Sequence, residues 1–243
     1  MEEKIYIFFL IWGRIVSYFL ITMPFSYDFI PYKIRISFSF LFTILLFSIV
    51  PVPIRIFSIS QFLTLFILQI IIGITLGFIS NLIFYSIEFA SYLIDYMSGM
   101  GIVTTVGLTN ENVPIISNLL TILTILIFFV TDSHHILILG LKKSFFSMPI
   151  SFNFSERFSI FPLYLYKNLF SVGIILSFPI VFPMFILEIF QAIIARIMPD
   201  LNIFIIGLPI RILSLYLFLL PFIFSFPIII TKLINTYIKG ILL

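Results

Sequence analysis

Cysteine is absent from this chain of 243 residues, and charged residues make up only 9% of it. The lack of cysteine excludes disulfide bonds and metal sites built on thiolates. Soluble domains carry roughly 25% charged residues, whereas here 62% of the residues are hydrophobic. We therefore predict an integral membrane protein or the buried core of a membrane complex.

The few charges show no clustering of one sign. The net charge is only +3, and binding to nucleic acid needs a concentrated basic surface, so no nucleic-acid partner is expected. The chain has two adjacent histidines and dispersed carboxylates, in which no nucleophile–base pair can be recognised. A nucleotide-binding motif is also missing. These absences predict a protein that is not an enzyme and needs no cofactor.

Long apolar stretches dominate what is present, and they predict an all-α fold. Residues 5–23 follow an acidic start without a small-residue cleavage site, so we expect a retained helix rather than a signal peptide. Residues 56–97 show the longest helical pattern. Residues 169–195 and 212–230 are each long enough to cross a bilayer, since about 20 apolar residues cover its hydrocarbon core.

Arg14 interrupts the first apolar stretch near its centre. A charge that faces lipid at that depth costs about 2.5–3.5 kcal/mol on insertion scales. The side chain is therefore expected to contact a partner helix or water.

Small and polar residues recur every four or seven positions along 56–97, which places them on one helix face. Glycines four apart allow two helix backbones to approach closely in a membrane. We predict that this face packs against another helix. A proton or ion pathway is the alternative, and it is less favoured because only two carboxylates belong to the series. The series is Gln69, Gly73, Gly77, Asn81, Glu88 and Asp95.

Two polar segments interrupt the helices. Residues 98–114 are rich in glycine and threonine, which disfavour helix, and a loop of this length is often functional.

Further on, Asp132 precedes His134 and His135. Neighbouring residues do not share a helix face, so we predict no metal site, but a helix-capping aspartate followed by a buried or interfacial histidine.

Residues 195–211 connect the last two apolar stretches. Pro199 and Pro209 are expected to end helices, and Gly207 permits unusual backbone conformations. The connection is apolar between them, so we expect the tip of this hairpin to pack against protein or to dip into the bilayer. An ordinary tight turn is the alternative. Within the preceding helix, Pro179 and Pro183 are expected to cause a kink or a break.

Together these motifs resemble the R-type export-gate family of flagellar and type III secretion systems (FliR/SctT). The glycine pair followed by Asp95, the D-S-H-H segment and residues 144–149 occur in the family's order. Ser133 departs from the family's usual glycine, and the loop lacks its usual phenylalanines. The most specific match is R-x-x-P-x-L-N-x-F-x-x-G-x-P, formed by Arg196, Pro199, Leu201, Asn202, Phe204, Gly207 and Pro209.

The resemblance implies an export-gate subunit in the bacterial inner membrane, with lipid contacts. Its implied partners are P-type and Q-type export-gate proteins, further membrane proteins of the export apparatus, and unfolded secreted proteins. A flagellar basal body is the expected setting. An injectisome is the alternative, and an ion-coupled transporter is less favoured because no inverted repeat is visible.

The resemblance also implies an internal organisation within one structural unit. Residues 1–167 would form a P-like helical part, and residues 168–243 a Q-like helical hairpin. The loop 99–114 would plug the channel, with Val103, Val106 and Leu108 as its apolar constriction.

Overall fold

The computed structural model describes residues 2–26, 30–50, 58–100, 115–150, 161–198 and 203–242, and these residues form helices without any strand. The predicted all-α fold is confirmed. The helices are α1 (Glu2–Ile21), α2 (Met23–Ser26), α3 (Tyr32–Phe47), α4 (Ile59–Ser98), α5 (Ile115–Val130), α6 (Ser133–Ser147), α7 (Phe161–Ile197) and α8 (Ile203–Leu242).

Within the part of the chain that the structure describes, four helical segments are long and apolar enough to cross a membrane, or five if α5 and α6 are counted as one bent span. In the most apolar stretch of 18 residues in each of three of these helices, the buried share is only 22% for α4, 28% for α7 and 22% for α8. Most of this apolar surface faces outward, where lipid or neighbouring subunits would cover it. The four segments are Lys4–Ile21, Ile59–Ser98, Phe170–Ile197 and Ile205–Ile234.

The chain folds into two compact units. The first comprises Met1–Leu82, Asp132–Leu165 and Ile234–Leu243, and the second comprises Ile83–Thr131 and Tyr166–Leu233. Helix α4 therefore contributes its first part to one unit and its second part to the other. The division into P-like and Q-like parts after residue 167 stays a prediction.

Aromatic and aliphatic side chains form the core of the first unit around α1. Trp12 packs edge-on to Phe40 of α3, with ring centroids 6.5 Å apart, and Phe19 packs in the same way on Phe38 and Phe42. The buried set is Leu10, Ile11, Ile15, Tyr18, Phe19, Leu46, Val50, Leu141, Phe145 and Ile150.

A close backbone approach between α4 and α7 organises part of the second unit. A Cβ added to Gly173 would lie 2.9 Å from the carbonyl oxygen of Ser86 and 2.6 Å from Cδ1 of Phe89. Phe89 also packs on Phe170, with ring centroids 5.1 Å apart. No spacing pattern in the sequence pointed to Gly173.

The predicted helix ends near the C-terminus need correction. Helix α8 begins at Ile203 and runs through Pro209, so the prediction that Pro209 ends a helix is wrong. Helix α7 likewise continues through Pro179 and Pro183 without a break. A proline removes one backbone hydrogen bond, whereas leaving the helix in an apolar setting would expose many backbone groups, and continuation is therefore favoured.

Candidate functional site

The most deeply buried charge in the described residues is Arg14 on α1, whose side chain has no solvent exposure. Its Nε donates to Oε1 of Gln69 on α4 over 2.8 Å. Its Nη1 donates to the carbonyl oxygen of Ser144 over 3.0 Å, and its Nη2 to that of Met148 over 2.9 Å. The guanidinium also lies 4.3 Å from the ring centre of Phe145. The expectation that Arg14 contacts protein is confirmed.

The negative partner of this arginine is a helix end. Among the described residues Arg14 forms no ion pair with a carboxylate. Ser144 and Met148 lie at the C-terminal end of α6, where the carbonyls carry the partial negative charge of the helix. The carbonyl oxygen of Ser144 also accepts from the backbone N–H of Met148 over 2.9 Å. One buried cation therefore holds α1, α4 and the end of α6 together.

The glycines of the polar stripe lie where α4 meets α1. A Cβ on Gly73 would overlap both Ser17 Oγ and the carbonyl oxygen of Arg14. A Cβ on Gly77 would lie 3.2 Å from Cβ of Ile21 and 3.3 Å from the carbonyl oxygen of Tyr18, a tight but smaller conflict. The helix that approaches these glycines thus belongs to the same chain.

Asn81 continues this contact at the end of α1. Its Oδ1 accepts from the backbone N–H of Met23 over 2.6 Å, and its Nδ2 donates to the carbonyl oxygen of Ile21 over 2.8 Å. One amide side chain therefore pairs two backbone groups that the break between α1 and α2 leaves without helical partners.

Asp95 and Glu88, the two carboxylates of the stripe, have different surroundings. Asp95 is buried, and its two oxygens accept from the backbone N–H groups of Ile116 (3.2 Å) and Ser117 (2.8 Å) in the first turn of α5. A carboxylate is favoured there by the free N–H groups and by the positive end of the helix. Glu88 is half-buried and makes no hydrogen bond or ion pair within the described part of the chain. The structure therefore gives Asp95 a capping role.

Gly99, directly after α4, has a φ of +74°, a conformation that other residues resist. It opens the segment that was predicted to plug the channel. Val103, Val106 and Leu108 lie outside the described residues.

Three polar side chains connect α7 to α8 in the C-terminal hairpin. The buried Gln191 accepts from Arg211 Nε over 2.9 Å and donates to the carbonyl oxygen of Gly207 over 3.3 Å. Arg211 Nη2 lies 3.2 Å from Glu188 Oε1, and both side chains are partly exposed. The sequence pattern did not pair these residues.

Other residues of the C-terminal motif are distributed around this connection. Arg196 is exposed in the last turn of α7, and Phe204 lies in the first turn of α8. Pro199 and Asn202 lie outside the described residues. Among the described residues of the motif, Gly207 on α8 takes part in the polar connection, through its carbonyl oxygen.

Asp132 occupies the N-cap position of α6, as predicted, but its side chain makes no capping hydrogen bond. Its φ of 55° is left-handed, and its carbonyl oxygen accepts from the N–H of His135 over 3.1 Å. The prediction that Asp132 caps α6 through its side chain is therefore wrong. Its backbone carbonyl oxygen accepts the hydrogen bond, and its carboxylate accepts none from the helix.

An all-helical fold with outward apolar faces and internally paired polar groups is that of a multi-pass membrane protein. The family of bacterial export proteins, family 1, matches residues 5–237. The chain belongs to this family, which confirms the resemblance seen in its motifs. It is thus a component of a bacterial protein export apparatus that associates with other components of that apparatus.

Individual relatives carry flagellar and secretion names. The chain is 25% identical to the flagellar biosynthetic protein FliR of Bacillus subtilis over 218 residues, or 88% of this chain and 84% of the relative. It is 31% identical to FliR of Buchnera aphidicola subsp. Acyrthosiphon pisum over 220 residues, again 88% and 84%. It is 30% identical to the Yop proteins translocation protein T of Yersinia pestis over 148 residues, or 59% and 56%.

Proposed function

We propose that this chain is a subunit of the export gate of a flagellar type III protein export apparatus. In this role it forms part of the channel through which unfolded flagellar proteins cross the inner membrane. The observation that carries the proposal is the family match over residues 5–237. The flagellar setting is supported by the FliR relatives from Bacillus and Buchnera, which are matched over 84% of their length, compared with 56% for the Yersinia protein.

The partners in this proposal are P-type and Q-type export-gate proteins. The polar groups of Arg14, Asn81, Asp95 and Gln191 bond within the chain. The long outward faces of α7 and α8 are apolar instead. Such faces suit close packing against neighbouring helices as well as contact with lipid.

Two measurements test the proposal. The tagged chain, produced together with the P-type and Q-type proteins of the same genome, is expected to purify with both. Deletion of its gene is expected to abolish secretion of flagellar proteins into the medium, and a plasmid copy is expected to restore it. Failure of both partners to co-purify, with flagellar secretion unchanged in the deletion strain, contradicts the proposal.

An injectisome subunit is the second candidate, and the similarity to the Yersinia translocation protein favours it. The same deletion strain distinguishes the two, because this candidate requires loss of secreted effector proteins while flagellar secretion continues.

We also propose that residues 99–114 close the channel at rest. Val103, Val106 and Leu108 would supply an apolar constriction, which can stop ions by dewetting. Asp95 supports this idea because it fixes the first turn of α5, at the far end of the segment. Deletion of residues 103–108 is expected to leave partner binding intact and to increase the ion conductance of cells that produce the complex. An assembled complex that stays as tight as the parent places the seal in another subunit.

A further inference from the structure

Asp132, His134 and His135 form a three-donor cluster where α6 begins, and we propose that this cluster binds a divalent transition-metal ion of the zinc type. One donor atom from each residue lies within 4.8 Å of the other two. Oδ1 of Asp132 is 3.8 Å from Nδ1 of His135, and the two imidazole rings have centroids 4.2 Å apart.

The backbone explains why adjacent residues converge here although neighbours on a helix normally diverge. Asp132 precedes α6 in a left-handed conformation, with a φ of 55°, which aspartate tolerates better than most residues. Because its carboxylate makes no capping hydrogen bond, it is available on the side where His135 lies. The cluster therefore combines one residue before the helix with two from its first turn.

The donor set suits a transition metal. Two imidazoles and one carboxylate match the ligand preferences of zinc, copper and nickel, whereas magnesium and calcium prefer oxygen ligands. Bonds of about 2.1 Å in a tetrahedral zinc site place neighbouring donors about 3.4 Å apart. Because all the donors lie within 4.8 Å of one another, no pair must close by more than about 1.4 Å. The side chains of His135 and Asp132 are 66% and 77% exposed, which leaves room for this rotation.

The electrostatics favour binding of moderate strength. The N-terminal end of α6 carries partial positive charge that opposes a cation, and the carboxylate of Asp132 offsets it. Three protein ligands also leave one tetrahedral position for water or for a ligand from another molecule. We therefore expect a dissociation constant for zinc in the micromolar range, about 10⁻⁶ M.

The test is isothermal titration of the full-length protein in detergent with zinc chloride, and with magnesium chloride for comparison. The affinity tag must contain no histidine. Because both histidines of the chain lie in this cluster, no other imidazole in it competes. One zinc ion per chain is expected, with no comparable binding of magnesium. Titration with cobalt chloride is expected to give the visible absorption of a low-symmetry site with nitrogen ligands.

Matched variants make the result specific. Asp132→Asn keeps the size of the side chain and its tolerance of the left-handed backbone, and His135→Ala removes an exposed imidazole. Each is expected to weaken zinc binding by about tenfold or more, with unchanged helical circular dichroism. Glu188→Gln removes a partly exposed carboxylate elsewhere and is expected to leave binding unchanged. Lack of saturable zinc binding, or equal binding by all three variants and the parent, overturns the proposal.

Discussion

The Nε–H of Arg14 donates to Oε1 of Gln69 over 2.8 Å, although 55 residues separate them in the chain. The contact joins α1 to α4 inside an apolar core. Because the same guanidinium reaches two carbonyls at the end of α6, its planar shape is matched to three acceptors at once.

Arg14→Lys is therefore expected to destabilise the protein although it keeps the charge. A lysine ammonium is compact and lacks the fork of the guanidinium, so at least one buried acceptor loses its donor, at a cost of about 1–3 kcal/mol. Thermal unfolding in detergent, followed by circular dichroism, measures the effect. Arg196→Lys changes an exposed arginine and serves as the control. Equal melting temperatures for the two variants would mean that the fork geometry does not matter.

Gly73→Ala and Gly77→Ala are expected to differ, although the two sites lie one turn apart on α4. The new Cβ at position 73 overlaps the backbone oxygen of Arg14, which cannot rotate away, whereas at position 77 a shift of a few tenths of an ångström at Ile21 and at the carbonyl oxygen of Tyr18 suffices. Overpacking of this kind costs about 1–3 kcal/mol, so only Gly73→Ala should markedly lower the melting temperature. If both variants melt alike, α1 does not approach α4 in the way described.

Asp95→Asn is expected to lower the free energy of unfolding by about 2 kcal/mol, since an amide can accept from only one of the two N–H groups of α5 and loses the charge. Glu88→Gln should change it by less than about 0.5 kcal/mol, because Glu88 has no hydrogen-bond partner in the described residues. Chemical denaturation in mixed detergent measures both. Export that stops in the Glu88→Gln strain while the complex still assembles would instead support a proton-linked role.

In the C-terminal hairpin, Gln191→Leu is expected to cost more than Glu188→Gln. The leucine leaves the carbonyl oxygen of Gly207 and Nε of Arg211 without their partner, at about 1–3 kcal/mol. The ion pair of Glu188 with Arg211 is partly exposed, and such pairs contribute about 0–1 kcal/mol. Limited proteolysis between α7 and α8 should be faster only in the Gln191→Leu protein. Faster cleavage in the Glu188→Gln protein would show that the ion pair dominates.

Periodicity predicted the helices and the polar stripe because both depend on local spacing. The sequence also indicated that Arg14 needs a protein partner, since a charge in an apolar stretch must be compensated. It could not identify the acceptors, because the carbonyls of Ser144 and Met148 belong to the backbone and have no signature in the residue types. The capping of α5 by Asp95 could not be predicted for a related reason. It depends on the fold placing the backbone N–H groups of Ile116 and Ser117 next to the carboxylate of Asp95.

Local rules failed where several weak preferences compete. Proline was expected to end a helix at position 209, but the surrounding apolar residues keep α8 continuous. Asp132 was expected to cap through its side chain, but a left-handed backbone at that residue turns the carboxylate away from the helix. In both cases the outcome depends on the whole segment rather than on one residue.

Trp12, which packs on Phe40, is the only tryptophan in the chain, and it lies in the first of the two compact units. Its fluorescence is therefore an intrinsic optical reporter of that unit, without any attached dye. Circular dichroism averages over the helices of both units. Coincident melting curves from the two signals would show that the units unfold in a single cooperative transition, and separated curves would show that each unit has its own stability.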